Sequence, residues 1–162
     1  MSEILQSVSV MRVRQALAQA GVASEIVELP GAARTAADAA RFLGCDVAKI
    51  ANSLVFRATT SATPLLVMCS GARRVDLDRL ARIAGEPVAK ADAQFVRQST
   101  GFAIGGVPPV GHAAPLRTFV DDSLAAHAML WAAAGHPHTV FCISYAQLLT
   151  LTSGVAVQAA AA

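Results

Sequence analysis

The chain has 162 residues, of which 54% are apolar and 15% are charged, and its formal net charge is +2. This length fits one domain, predicted over 1–162, that can bury a sizeable core, and the composition excludes a disordered chain. The chain lacks the strong excess of basic residues that is typical of nucleic-acid-binding proteins. Four arginines nevertheless lie close together in the sequence, and they form either a phosphate-facing patch or a solvated helix face: Arg73, Arg74, Arg79 and Arg82.

Three cysteines, Cys45, Cys69 and Cys142, stand at wide and unpatterned spacings. An odd number without a metal-binding spacing argues against a disulfide framework and a zinc site, and it suits a reducing compartment. The first residues lack a basic segment followed by an apolar one, and the most apolar stretch, 124–135, is too short to cross a bilayer. The sequence therefore predicts a cytoplasmic protein without a membrane partner.

Hydrophobic spacing predicts helices and strands that follow one another along the chain. Val10, Val13 and Leu17 recur at helical spacing before Gly21, and Thr35 is the expected N-cap of the second helix. The predicted helices span 9–20, 36–43, 76–84, 91–99 and 145–151. The predicted strands span 24–29, 50–58, 64–70, 116–120, 129–133, 139–143 and 155–157. The pattern of 129–133 also fits a helix, but the turn at 135–138 favours a strand, which predicts a hairpin with 139–143 beside the hairpin of 50–58 with 64–70. The alanine tail after the last strand is expected to fray.

Some side chains in these elements carry a specific expectation. Leu77 in the third helix and Phe95 in the fourth are expected to face the core. Asp121 and Asp122 end a strand, where neighbouring carboxylates diverge, so we expect helix capping near Ser123 rather than magnesium binding.

The strand predicted over 50–58 places a polar side chain among apolar ones. A period of two puts Asn52 on the same face as Leu54 and Phe56. An unpaired buried amide costs about 1–3 kcal/mol. Asn52 is therefore expected either to hold local backbone or to point into a pocket.

The segment 100–112 interleaves apolar residues with four glycines and two consecutive prolines. Gly105 and Gly106 can adopt positive φ and leave their N–H groups uncovered, while Pro108 and Pro109 fix the backbone that follows. Such a rigid loop suits a carbonyl, carboxylate or phosphate, although a tight structural turn between strands has the same composition.

Several catalytic signatures are absent from the sequence. It has no P-loop, no dinucleotide-binding glycine fingerprint, no His-Glu-x-x-His and no Gly-x-Ser-x-Gly. No histidine is linked to a cysteine as nucleophilic catalysis would require. The glycine and proline loop, Asn52, His112 and His138 remain as candidates, and a lone histidine is more often structural.

Five short motifs follow one another from about Pro30 to the last helix. They are Arg34-Thr35 at a helix start, the strand 50–56, the turn and helix start 71–77, the segment Thr100-Gly101-Phe102 leading into 105–111, and the turn 135–138. The order of these motifs resembles the YbaK/prolyl-tRNA synthetase editing-domain family.

The resemblance implies a mixed α/β fold with a curved, mostly antiparallel sheet and surrounding helices. It implies an enzyme that acts in trans and hydrolyses the ester of a mischarged aminoacyl-tRNA, typically a small residue such as alanine or cysteine on tRNA(Pro). No cofactor or metal is then required. The partners implied are the 3′ aminoacyl-adenosine end of the tRNA and, as a further possibility, prolyl-tRNA synthetase.

The resemblance also assigns site residues. Those implied at the reacting ester are Asn52, Gly105 and Gly106. Those implied in substrate binding are Thr35, Ser53, Ser70, Gly71, Val107, Pro109, Gly111 and His138, with His136 as the alternative to His138.

One position departs from the family pattern. Many members carry a lysine where this chain has Asn52, and Lys49 is offset to the other face of the strand. A carboxamide donates hydrogen bonds but supplies no positive charge. A noncatalytic module that binds aminoacyl-tRNA or a similar ligand therefore stays open as the alternative.

Overall fold

The computed structural model describes residues 2–161; Met1 and Ala162, the ends of the predicted domain and alanine tail, lie outside the described residues. The described residues form five α-helices and eight strands, with 3-10 turns at Val47–Lys49 and Asp122–Ala126. The helices are α1 (Val8–Gln19), α2 (Ala36–Leu43), α3 (Leu77–Ala84), α4 (Ala93–Thr100) and α5 (Tyr145–Thr152). The strands are β1 (Ile26–Glu28), β2 (Ala51–Ala58), β3 (Thr63–Ser70), β4 (Val88–Lys90), β5 (Arg117–Asp121), β6 (Leu130–Ala133), β7 (Thr139–Ile143) and β8 (Val155–Val157).

The strands are arranged in two sheets. The larger has the order β4-β2-β3-β5-β8, and the smaller has the order β1-β7-β6. Both predicted hairpins, β2 with β3 and β6 with β7, are confirmed as antiparallel pairs, whereas β5 and β8 join the larger sheet in parallel. A bridge between Ile50 and Trp131 brings the start of β2 beside β6. The predicted mixed α/β class is confirmed.

Local side-chain chemistry explains where the helices begin and end. Thr35 is the N-cap of α2, and its hydroxyl accepts a hydrogen bond from the Asp38 N–H at 3.1 Å, as predicted. Gly44 ends the same helix with a left-handed φ of 66°. Ser144 and Gln147 form a capping box at the start of α5. The Thr35 cap fixes the start of α2, which faces the site described below.

The core lies on both faces of the larger sheet. On β3, Leu66 and Met68 belong to one buried cluster, while Leu65 and Val67 belong to the cluster on the opposite face. This alternation is the period of two expected for a strand that is buried on both sides. Within residues 2–161, no helix is both long enough and apolar enough to span a bilayer.

Two of the predicted core side chains are placed differently. Leu77 is 44% exposed, because it is the first residue of α3 and the buried face of that helix carries Leu80 and Ala84. Phe95 is only half-buried and lies under the Arg57 guanidinium, 5.3 Å from the ring centroid; Val96 is the buried residue of α4.

The alanine tail does not fray within the described residues. Ala159 and Ala160 are buried, and their N–H groups donate to the Asp121 carboxylate at 2.9 and 3.0 Å. The other oxygen of Asp121 accepts from the N–H and hydroxyl of Ser123. The expected capping role of the aspartate pair is confirmed at Asp121, and the same carboxylate holds the tail.

Candidate functional site

A cavity of about 440 Å³ lies where the start of α2, the start of β2, the 104–107 loop and the second hairpin meet. Its floor is buried and mostly apolar, with Ala51, Ala132 and Thr139 each about 1% exposed. Its rim includes the exposed residues Arg34, Thr35 and Ile104. A cavity of this size is in the range that encloses a small ligand.

Asn52 lines this cavity and is half-buried. Among residues 2–161 its carboxamide makes no hydrogen bond, and no buried side-chain polar atom there is left unsatisfied, so the carboxamide is accessible to solvent. Of the two alternatives set out for Asn52, the structure supports the pocket rather than a bond to local backbone. The amide is free to donate to or accept from a ligand.

Gly105 and Gly106 differ from one another in conformation and in the use of their amides. Gly105 has a φ of 95° and lines the cavity, and within the described chain its N–H makes no hydrogen bond. Gly106 is buried, has no positive φ, and donates its N–H to the Ala103 carbonyl at 3.1 Å. The expectation that both amides are uncovered is therefore wrong for Gly106, because the loop uses that N–H to close its own turn.

Four other predicted substrate-binding residues line the same cavity. Thr35 is at its rim, Ser53 and Val107 are on its walls, and Gly71 is at the turn after β3. Gly71 also allows close packing: a β-carbon there would lie 2.6 Å from the Ala36 Cβ. The glycine thus lets the start of α2 approach the turn and close one side of the cavity.

The remaining predicted site residues do not line the cavity. Ser70 is buried, and its hydroxyl donates to the Ala48 carbonyl at 2.9 Å. Pro109 is buried in the loop, and Gly111 packs against the backbone of α1 at Arg12. Pro109 and Gly111 line a different depression.

The two histidines of the second hairpin turn face each other. The rings of His136 and His138 lie 5.2 Å apart, and the His138 N–H donates to Nδ1 of His136. Burial lowers the pKa of His136, and the charge of His138 lowers it further, while Glu28 opposes both. Neither ring lines the cavity, so neither reaches it as the sequence analysis expected.

His112 and the cysteines lie elsewhere. Nε2 of His112 donates to the Pro108 carbonyl at 2.7 Å, which fastens the end of the loop, and burial lowers the pKa of this imidazole. Burial raises the pKa of Cys69 to about 11, which keeps it a thiol near neutral pH. Cys45 and Cys142 are also absent from the cavity lining.

Sequence reasoning gave no site role to several residues that line the cavity. They include Arg34, Ile104, Trp131 and Pro137. Arg34 belonged to one of the matching motifs, and Trp131 is the one tryptophan of the chain, but neither signal placed the side chain in a pocket.

The cavity offers positive charge and hydrogen-bond donors rather than a base. Arg34 is the one charged side chain among the described lining residues, and no carboxylate, imidazole or thiol accompanies it. Within residues 2–161, no group of histidine, cysteine and carboxylate side chains is placed to hold a metal ion. The arrangement can bind an anionic ligand and stabilise negative charge on a carbonyl oxygen.

Three comparisons with known proteins bear on this site. A solved structure named as a candidate trans-editing enzyme for prolyl-tRNA synthetase is 39% identical, with a TM-score of 0.89 over 96% of this chain and 99% of that one. The hypothetical protein APE2540 is 25% identical, with a TM-score of 0.87 over 93% of this chain and 99% of that one. The uncharacterised protein YwhH of Bacillus subtilis (strain 168) is 27% identical over 127 residues, which are 78% of this chain and 80% of YwhH.

A family model described as the aminoacyl-tRNA editing domain matches residues 31–151. This range includes α2, the glycine loop and both hairpins, and therefore every residue that lines the cavity. The resemblance inferred from the sequence motifs is confirmed. The chain belongs to the aminoacyl-tRNA editing domain family.

Proposed function

We propose that this protein hydrolyses, in trans, the ester bond of a mischarged aminoacyl-tRNA whose amino acid is small, such as alanine or cysteine on tRNA(Pro). The observation that carries the proposal is the pairing, in one cavity, of an uncommitted Gly105 N–H with an uncommitted Asn52 carboxamide. Both groups can donate to a carbonyl oxygen. A cavity of about 440 Å³ suits a nucleoside carrying a small acyl group.

In the proposed reaction, a water molecule attacks the carbonyl carbon of the ester. The carbonyl oxygen becomes an oxyanion that accepts hydrogen bonds from the Gly105 N–H and the Asn52 carboxamide. The bond to the ribose oxygen then breaks, and that oxygen takes the proton lost by the water. The products are the free amino acid and a tRNA with a free terminal hydroxyl group.

The other lining residues orient the terminal nucleotide. The Arg34 guanidinium at the rim contacts the phosphate of the terminal adenosine, and it supplies the positive charge that Asn52 lacks. Trp131 and the exposed Ile104 give the adenine ring apolar surface. The protein acts in the cytoplasm, and its 162 residues form one domain. Prolyl-tRNA synthetase is the partner that produces the mischarged tRNA.

A second candidate function is a noncatalytic module that binds aminoacyl-tRNA. It is favoured by one observation: none of the described residues that line the cavity can act as a general base. On this alternative, Gly105 and Asn52 hold the acyl group without turnover.

The experiment compares release of alanine, cysteine, serine and proline from tRNA(Pro) by the wild type, Asn52→Ala and Asn52→Asp. We expect turnover of a small noncognate amino acid, and a loss of about 10²-fold in kcat for Asn52→Ala, as for removal of one oxyanion donor. Asn52→Asp is expected to be at least as impaired, because its carboxylate repels the oxyanion. The matched control is Gln98→Ala, which removes an exposed carboxamide on α4.

The outcomes separate the two functions. Saturable binding of the aminoacyl-tRNA without release of the amino acid supports the binding module and contradicts the hydrolase. Turnover that is unchanged in Asn52→Ala contradicts the role of that carboxamide. A chain that neither binds nor hydrolyses any of these substrates contradicts both functions.

A further inference from the structure

A second depression lies behind the turn that joins β3 to α3, and it is basic. It has a volume of about 530 Å³, and its lining includes Ser70, Ala72, Arg73, Arg74 and His127; we name it the basic groove. We propose that the basic groove binds the phosphodiester backbone of the acceptor strand just upstream of the terminal adenosine. This proposal rests on the proposed function for the identity of the RNA.

The charge of the groove is one-sided. Among the described residues that line it there is no aspartate or glutamate. Arg73 and Arg74 are both exposed, and within residues 2–161 neither forms an ion pair, whereas Arg41 and Arg79 pair with Asp38 and Asp76. Two adjacent unpaired guanidinium groups in a concave surface suit phosphate oxygens, which they can bind in a bidentate manner.

The backbone that presents these arginines is fixed in place. The Arg73 N–H donates to the Ser70 carbonyl at 3.0 Å, and the Arg74 carbonyl accepts from the Ala161 N–H at 3.0 Å. The Ala72 N–H lies 3.3 Å from the Ser70 hydroxyl. A preorganised turn lowers the entropy lost when the arginines bind a ligand.

The basic groove and the cavity share a wall. Gly71 lines the cavity, while its neighbours Ser70 and Ala72 line the groove. In the segment that leads into β2, Ile50 lines the cavity and Ala48 lines the groove, and the Gly71 N–H donates to the Ile50 carbonyl at 2.9 Å. The residues that line the two depressions thus alternate along the same two segments of main chain.

This adjacency identifies the occupant. A ligand that fits entirely within the cavity makes no contact with the basic groove. A polymer whose end lies in the cavity can place its next charged groups in the adjacent basic groove. An RNA strand carries one phosphate for each nucleotide, and arginines that contact phosphates position a strand without reading its sequence. The groove therefore contributes to binding of the whole tRNA and not to the chemistry at the ester.

The test measures binding of tRNA(Pro) that carries alanine through a non-hydrolysable amide, between about 50 and 200 mM salt. The proteins compared are the wild type, Arg73→Ala/Arg74→Ala, the charge-preserving Arg73→Lys/Arg74→Lys, and Arg82→Ala as a matched exposed arginine outside the groove. The melting temperature of each variant is recorded to confirm that it is folded.

For the double alanine variant we expect at least about 10-fold weaker binding, and a slope of log K against log salt that is smaller by about 1.4–1.8, as for the loss of two phosphate contacts. The lysine variant retains the slope, and Arg82→Ala behaves as the wild type. In deacylation assays KM rises with kcat unchanged, while hydrolysis of the alanyl ester of adenosine alone does not change.

If the double alanine variant binds the tRNA with unchanged affinity and salt slope, the proposal is overturned. This holds also where the basic groove binds an acidic protein instead of RNA. Its failure is distinct from failure of the proposed function. If the wild type hydrolyses the ester and the double alanine variant does so with the same KM and kcat, only the proposed role of the basic groove is refuted. Arginine-dependent binding of the tRNA without hydrolysis refutes the proposed enzyme and leaves the groove in place.

Discussion

Gly106 lies so close to the backbone of His136 that a β-carbon on Gly106 would be 3.0 Å from both the Cα and the N of His136. This contact seats the glycine loop on the turn between β6 and β7, two segments 30 residues apart in the chain. Gly105, the neighbour of Gly106, then faces the cavity with its N–H uncommitted. Gly106, whose own N–H donates to the Ala103 carbonyl, therefore sets the position of the Gly105 N–H, which is the proposed oxyanion donor.

Gly106→Ala is expected to displace the loop, because the new methyl group meets backbone atoms that cannot rotate away. We expect a loss of about 1–3 kcal/mol in the free energy of unfolding, which is typical of overpacking, together with a loss of deacylation. Urea unfolding and single-turnover hydrolysis measure the two effects.

Gly21→Ala is the control for Gly106→Ala. A β-carbon on Gly21 would have nothing within 4 Å, but its φ of 71° strains an alanine by about 1–2 kcal/mol. We expect a similar loss of stability with full activity below the melting temperature. Full activity in Gly106→Ala as well would show that the position of the loop does not matter to the reaction.

Arg34→Ala is expected to raise KM for aminoacyl-tRNA by about 10-fold, because it removes the one charge among the described lining residues. Arg34→Lys keeps the charge and retains most of the affinity. Stability stays within about 0.5 kcal/mol of the wild type, since Arg34 is exposed. Steady-state kinetics at two salt concentrations check this prediction, and a KM unaffected by Arg34→Ala contradicts the contact with the terminal phosphate.

Protonation of His112 is expected to lower the free energy of unfolding in acid. Burial lowers its pKa in the folded chain below the ordinary 6.5, so the unfolded chain binds more protons once the pH falls below that value. The stability that His112 contributes is present above about pH 6.5 and declines as the pH falls through the folded pKa, by at most about 1.4 kcal/mol per pH unit.

Urea unfolding of wild type and His112→Asn from pH 7.5 to pH 5 measures this effect. The variant has no imidazole at that position, so we expect a shallower decline than in the wild type. Carboxylates titrate in both proteins and cancel in the difference. Parallel curves for the two proteins would contradict the prediction.

Asp121→Ala is expected to cost about 2–4 kcal/mol, because the 2% exposed carboxylate accepts from the N–H groups of Ala159 and Ala160 and from Ser123. Asp122→Ala is the matched control, since Asp122 is exposed and is expected to change stability by less than about 0.5 kcal/mol. The free energy of unfolding in urea measures both, and equal values for the two variants would refute the tail-anchoring role of Asp121.

The sequence by itself determined the local structure and the family. The cap at Thr35 and the two hairpins were predictable, because capping and strand alternation depend on residues a few positions apart. The order of short motifs was sufficient for the family because each motif is itself a local signal. For the same reason, the sequence placed Asn52 among candidates for a pocket but could not choose between its two expected environments.

Only the tertiary structure decided which groups are available in the cavity. It committed the Gly106 amide to the loop, left the Gly105 amide free, brought Arg34 to the rim and turned His138 toward His136. It also buried the alanine tail through Asp121, 38 residues away from Ala159. These outcomes depend on contacts between residues far apart in the chain, and the energy of such a contact is a property of the packed pair, which neither residue's local sequence contains.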